Sequence, residues 1–175
     1  MAYIGLGANL GDRAATLRVA AQRLGSLGEV AAVSSLYETA PIGYADQPPF
    51  LNAVLALRTA LPPLALVPAL LAIETAMGRV RTFRNAPRTL DLDLLLHGNL
   101  VTTDAAAQVP HPRLHERAFV LAPLAEIAPE IVHPRLGRTV QQLRDDLGPL
   151  EGIVVVDDPG WITRSASGAG TPGDR

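Results

Sequence analysis

The chain has 175 residues, 48% of them apolar and 18% charged, with a formal net charge of −2. That length suits one compact domain, and the balance excludes both a disordered chain and a strongly basic nucleic-acid surface. There is no cysteine, and all 15 Lys+Arg residues are Arg, which rules out disulfides, thiolate metal sites, Schiff-base chemistry and the lysine-dependent phosphate loop GxxxxGK[ST]. If phosphate is bound, arginine must bind it.

Residues 2–7 read as a strand that enters a glycine-punctuated turn, GLGANLG, and Asp12 is placed to cap a helix running to about Leu27. GLGANLG misses the dinucleotide GxGxxG spacing, because Leu10 stands where the third glycine belongs, so it reads as a tight turn. A strand is expected over 29–37, then a Pro/Gly/Asp loop, then a third strand from Phe50 to about residue 59. Pro62 and Pro63 suit a helix start, and Leu64, Val67, Leu70, Leu71, Glu74 and Met77 keep helical spacing up to Gly78. The run 89–97 alternates with period two, placing Leu90, Leu92, Leu94 and Leu96 on one face and Asp91 and Asp93 on the other. Helices are expected near 116–128 and 139–147, and a short strand over 153–157. The domain is therefore drawn as 1–158, with 159–175 as a disordered Gly/Ser/Pro tail. The order β-α-β-β-α-β predicts an α+β, ferredoxin-like split βαβ sandwich: an antiparallel sheet with helices on one face and the other free for a site. No segment is long and apolar enough to span a bilayer, and no export signal is visible, so a cytoplasmic protein without membrane or nucleic-acid partners is expected.

Asp91 and Asp93 lie two strand steps apart, roughly 6.6–6.8 Å at the backbone, and carboxylates so placed repel unless a divalent cation lies between them. Mg²⁺ is commonly held by one or two carboxylates, water and substrate phosphates; the alternative is a solvated outer strand face. The preceding run GRVRTFRNAPR carries Arg79, Arg81, Arg84 and Arg88. Guanidinium groups bind phosphate oxygens in pairs, so metal beside arginine suggests polyphosphate, and Gly78 and Pro87 bracket a segment that reads as a lid. Phe50 and Asn52 share a strand face, an aromatic beside an amide, which suits a flat heterocycle. Phe119, taken alone, reads as core. His111, in the rigid turn VPHPR, could donate to phosphate or cap the turn.

Taken in order from about residue 3 to 132, the segments GLGANLG, ETAPIG, DQPPFLNA, ETAMGRVR, APRTLDLDLLLHG, VPHPRLHERAFVL and PLAEIAPE resemble the 6-hydroxymethyl-7,8-dihydropterin pyrophosphokinase family. The resemblance implies that a substrate hydroxyl attacks the β-phosphorus of ATP, releases AMP and yields a dihydropterin diphosphate, a step of tetrahydrofolate biosynthesis. It implies Asp91 and Asp93 as ligands of two Mg²⁺ ions, with Asp93 taking the hydroxyl proton. Asn52 would read the pterin edge with backbone groups of Thr39 and Ile42, and Phe50 and Phe119 would sandwich the ring. Arg79 and Arg88 resemble catalytic phosphate clamps, Arg81 a lid residue, and Glu74, His111 and Arg117 nucleotide or phosphate contacts. The implied partners are ATP and a dihydropterin, bound by a monomer. Three positions depart from the family pattern: Phe50 replaces a tyrosine, Asn85 a lid tryptophan, with Phe83 the nearest possible substitute, and Pro112 a tyrosine. Other readings are an unrelated metal-dependent phosphotransferase, an RNA-binding sheet and a non-catalytic pterin binder. Against RNA stand 4% aromatics and two carboxylates on the open face.

Overall fold

The computed structural model describes residues 1–41, 46–80, 83–84 and 86–164. Strand β1 (Ala2–Ala8) leads to helix α1 (Arg13–Leu24), strands β2 (Glu29–Val33), β3 (Leu36–Thr39) and β4 (Phe50–Arg58), helix α2 (Pro63–Ala76) and strand β5 (Asp91–His97). Helices α3 (Ala118–Ile127) and α4 (Val140–Asp146) and strand β6 (Ile153–Asp157) complete the order. The strands form one sheet in the order β5-β1-β4-β3-β6, with β2 also beside β4, and every pairing is antiparallel. β4 thus lies between β1 and the β2/β3 pair, the split βαβ connection expected of an α+β, ferredoxin-like fold.

α1 and α2 cover one face of the sheet. Leu17, Ala20 and Leu24 of α1 and Leu66, Leu70 and Ile73 of α2 pack on Ile4, Leu6, Leu55, Leu57, Leu92 and Leu94. α3 and α4, which follow β5, cover part of the opposite face, where Val120, Leu121, Leu124, Val140 and Leu143 bury Tyr3, Val54 and Ala56. The rest of that face stays open.

Asp12 caps α1 as expected, its side chain accepting from the Ala15 N–H, but the helix stops at Leu24 rather than near Leu27. On α2 the buried stripe is Leu66, Leu70 and Ile73, while Leu64 and Leu71 are exposed. The helix is apolar nearly all round, so spacing alone could not choose its inner face.

The strand expected over 29–37 is two strands. Ser34 breaks it: its backbone N–H donates to Val54 O and its hydroxyl accepts from Val54 N–H at 2.9 Å. The expected alternation along β5 also ends early. Tyr3 pairs with Leu96 and Ile4 with Leu94, so Leu95 is an extra residue, a β-bulge. Leu96 therefore turns away from Leu92 and Leu94 and joins Leu95 under α3 and α4.

The fold does not end at residue 158. Residues Pro159–Ile162 form a 3-10 turn, and Trp161 is fully buried in the α1/α2 core. Trp161 donates its indole N–H to Ser34 O at 2.9 Å, and Arg18 Nε donates to Trp161 O. Residues 159–164 are thus integral, correcting the expected boundary; 165–175 lie outside the described residues.

Candidate active site

Three neighbouring strands form the open part of the sheet. Gly7 on β1 pairs with Asn52 of β4 on one side and Asp91 of β5 on the other, and Gly5 pairs with Val54 and Asp93. With strands about 4.8 Å apart, Asn52 and Asp91 stand roughly 10 Å from each other, and the two glycines leave the floor between them bare. Gly5 and Gly7 belong to the strand expected over 2–7, which runs on to Ala8, and Gly11, at φ +65, is the glycine of the turn that follows.

Two cavities meet over this floor. The smaller, about 290 Å³, is lined by Thr39, Phe50, Asn52 and Phe119. The larger, about 730 Å³, is lined by Glu74, Arg79, Phe83, His111 and Pro112. Asp91, Asp93, Arg84, Arg88 and Arg117 line both. A bond made between ligands in the two cavities would form beside the aspartates.

Asp91 is gripped at both oxygens, Oδ1 by Arg79 Nη1 and Oδ2 by Arg88 Nη1, each at 2.8 Å. Glu74, buried beneath, accepts from the Leu92 N–H at 2.7 Å and lies 2.7 Å from Arg79 Nη1. It holds the guanidinium that holds Asp91. Asp93 is different. The guanidinium facing it is that of Arg117, at 3.9 Å, and burial, then the charge of Asp91, push its carboxyl up to about 7.

In the smaller cavity Asn52 donates from Nδ2 to the Thr39 hydroxyl at 2.7 Å, which fixes the amide. Thr39 therefore contributes a side chain here, where only its backbone was expected to act. The two aromatic rings are each approached by an arginine, Arg88 5.9 Å from the Phe50 centroid and Arg117 5.7 Å from that of Phe119. Such contacts are cation–π pairs. His111 accepts the Arg113 N–H at Nδ1; burial, then Arg117, lower its pKa to about 4, so the ring is neutral with Nε2 as the donor.

Among the described residues no three His, Cys, Asp or Glu side chains converge as a metal cage. The Asp91–Asp93 pair supplies two carboxylates, and the donor set fits a hard oxygen-binding cation that completes its shell with water and substrate phosphate.

A family model described as 7,8-dihydro-6-hydroxymethylpterin-pyrophosphokinase (HPPK) matches residues 3–129. The chain belongs to the HPPK family. Among its relatives, the 2-amino-4-hydroxy-6-hydroxymethyldihydropteridine pyrophosphokinases of Bacillus subtilis and Pseudomonas aeruginosa are 47% and 46% identical to it, over 75% and 86% of this chain and 80% and 93% of theirs. The Schizosaccharomyces pombe folic acid synthesis protein fol1 is 39% identical over 87% of this chain, which spans only 21% of that longer protein. The fold is shared with wild-type Plasmodium falciparum HPPK-DHPS, solved with pterin and p-hydroxybenzoate, at a TM-score of 0.62 and 17% identity, over 83% of this chain and 41% of that one.

Within this HPPK domain the expected residues fall into two groups around the junction. Thr39, Phe50, Asn52 and Phe119 share the smaller cavity, and Glu74, Arg79 and His111 the larger. Ile42, Arg81 and Asn85 lie outside the described residues. Phe83, 58% exposed, lines the larger cavity and not the smaller. Sequence reasoning missed Gly5, Gly7, Arg113 and Glu116 as lining residues. The glycines carried a usable signal, two bare positions at period two on a strand beside an Asp-x-Asp strand.

Proposed function

We propose that the smaller cavity holds a hydroxymethyldihydropterin, the larger one ATP, and that the reaction crosses their junction. As an HPPK family member the chain is a diphosphotransferase of folate synthesis: the hydroxymethyl oxygen attacks the β-phosphorus of ATP, the α–β bridging bond breaks, and AMP leaves. The observation that carries this assignment is that Asp91, Asp93 and three arginines line both cavities.

Asn52, held by Thr39, presents its remaining amide capacity to the pterin edge, with the backbone at Ile42 assisting. Phe50 and Phe119 cover the ring faces once Arg88 and Arg117 turn to phosphate, and both guanidinium groups are already within reach of the junction. Arg79 and Arg88 clamp the phosphates, held until then by Asp91; Arg81 contributes from the lid, and Glu74 acts mainly by steering Arg79. His111 donates from a neutral ring. Asp93 takes the hydroxyl proton. Two Mg²⁺ ions held by Asp91 and Asp93 would supply charge neutralisation and in-line alignment of the phosphates. The enzyme acts as a cytoplasmic monomer with no membrane or nucleic-acid partner; none of the described helices is long and apolar enough to cross a membrane.

A product assay tests this reading. Protein, MgATP and 6-hydroxymethyl-7,8-dihydropterin should give AMP only when both pterin and Mg²⁺ are present. ADP or free phosphate as the main product would refute it.

A further inference from the structure

On the open side of the sheet, a partly exposed knot of hydrogen bonds lies beyond the smaller cavity. Glu126, on the last turn of α3, accepts four of them: from the Ser35 N–H at 3.0 Å (Oε1) and 3.1 Å (Oε2), from the Ser35 hydroxyl at 2.8 Å (Oε1) and from the Tyr37 hydroxyl at 2.6 Å (Oε2). We propose that Glu126 is a positioning residue for the pterin, locking α3 to β3 and so setting the width of the smaller cavity. The inference rests on the reading that this cavity takes the pterin.

The walls it joins are the walls of that cavity. Thr39 and Ala40, at the end of β3, form one side, and Phe119 and Val120, at the start of α3, form the other. Tyr37 pairs in register with Asn52, and Thr39 with Phe50, so the hydroxyl that Glu126 grips is on a residue directly beside the pterin-reading amide. Glu126 lies seven residues after Phe119, about two turns and roughly 10 Å along the same helix face. Fixing one end of that stripe fixes the tilt of the other.

Stability of the helix does not explain the residue. A carboxylate in the last turn opposes the helix dipole, so Glu126 costs α3 something that its sheet contacts must offset. The remaining α3 contacts, through Val120, Leu121 and Leu124, are apolar and non-directional, and they permit small slides along β4. The two-oxygen fork does not.

The test compares Glu126→Gln, Tyr37→Phe and Asn52→Ala with wild type, measuring KM for both substrates, pterin affinity by titration calorimetry, and Tm. Leu143→Ala, in the α4 core away from both cavities, serves as a destabilised control. Losing part of this charged hydrogen-bond set should raise KM and Kd for the pterin about tenfold in Glu126→Gln and about threefold in Tyr37→Phe, with KM for ATP within about twofold. Unchanged pterin affinity in both variants, equal rises for pterin and ATP, or the same pterin loss in Leu143→Ala at matched Tm would each overturn it. If Asn52→Ala keeps full pterin affinity, the cavity assignment fails first and this inference with it; loss in Asn52→Ala without loss in Glu126→Gln refutes the positioning role alone.

Discussion

Arg88 and Asp91, three residues apart in the chain, are joined by a 2.8 Å ion pair, and Arg79 takes the other oxygen of the same carboxylate. The groups that must grip phosphate are therefore parked on the group that must grip metal. Each neutralises the other until a ligand bearing both charges arrives. Arg88→Ala should leave the fold intact, because the pair is partly solvated and the Arg88 backbone N–H keeps its bond to Asn9 Oδ1. Its kcat/KM should fall by about 10²–10³, the usual loss for one electrostatic donor at a reacting phosphate or acyl centre. Steady-state kinetics with a parallel Tm measurement checks both halves.

Asp93 should show the opposite balance of stability and activity. Its carboxylate is partly buried beside that of Asp91, with Arg117 3.9 Å away as its facing cation. Asp93→Asn removes that repulsion while keeping the shape, so Tm should rise as turnover drops by about 10³-fold or more. Wild-type turnover in this variant would refute the proposed mechanism.

Gly7 offers a test of the cavity floor. A Cβ at this position would stand 3.1 Å from Asn52 Oδ1, close enough that the amide must shift. Gly7→Ala should weaken pterin binding about tenfold, comparable to the loss of one or two hydrogen bonds, and leave ATP affinity unchanged. Equilibrium titration with each ligand separates the two.

Most of the fold was legible because the decisive residues sit in strongly patterned segments. Asp91 and Asp93 alternate with buried leucines, and Asp12 caps a helix. What escaped depends on tertiary partners. The bulge at Leu95 needs β1 opposite it, and the break at Ser34 needs the Val54 backbone and the Trp161 indole. The pairing of Asp91 with two arginines, against one more distant guanidinium at Asp93, follows from where tertiary packing brings Arg79, Arg88 and Arg117, which the shared alternation does not encode. Trp161 went unseen for another reason, since a single aromatic among Pro, Gly and Asp carries no periodicity.

The loop before α4 should make stability pH-dependent. His133 is buried, and its Nδ1 accepts the N–H groups of Arg135 and Leu136. Burial, then nearby His115, lowers its pKa. The folded state therefore binds this proton less readily than the unfolded chain, whose His titrates near 6.5. Stability is full above that value and is lost as pH falls below it. Between pH 7.5 and pH 5 the urea midpoint of wild type should fall relative to that of His133→Asn, whose Oδ1 can still accept a backbone N–H, while Asp93, with its raised pKa, acts in the opposite direction in both proteins.

Trp161 anchors the end of the fold more firmly than its surroundings in sequence suggest. Its ring is fully buried with Leu17, Leu24 and Leu36 in the α1/α2 core, its N–H bonds Ser34 O at the β2/β3 break, and its carbonyl accepts from Arg18. Trp161→Ala removes a large buried side chain and leaves the carbonyl of Ser34 without its indole donor, so a loss of about 3–5 kcal/mol is expected. Trp161→Phe keeps most of the volume and loses the hydrogen bond, which should cost about 1–2 kcal/mol. Chemical denaturation of the two variants separates packing from hydrogen bonding, and truncation after residue 158 should behave at least as badly as Trp161→Ala. A truncated chain as stable as the full one would show that the split strand β2/β3 holds its register without the tryptophan.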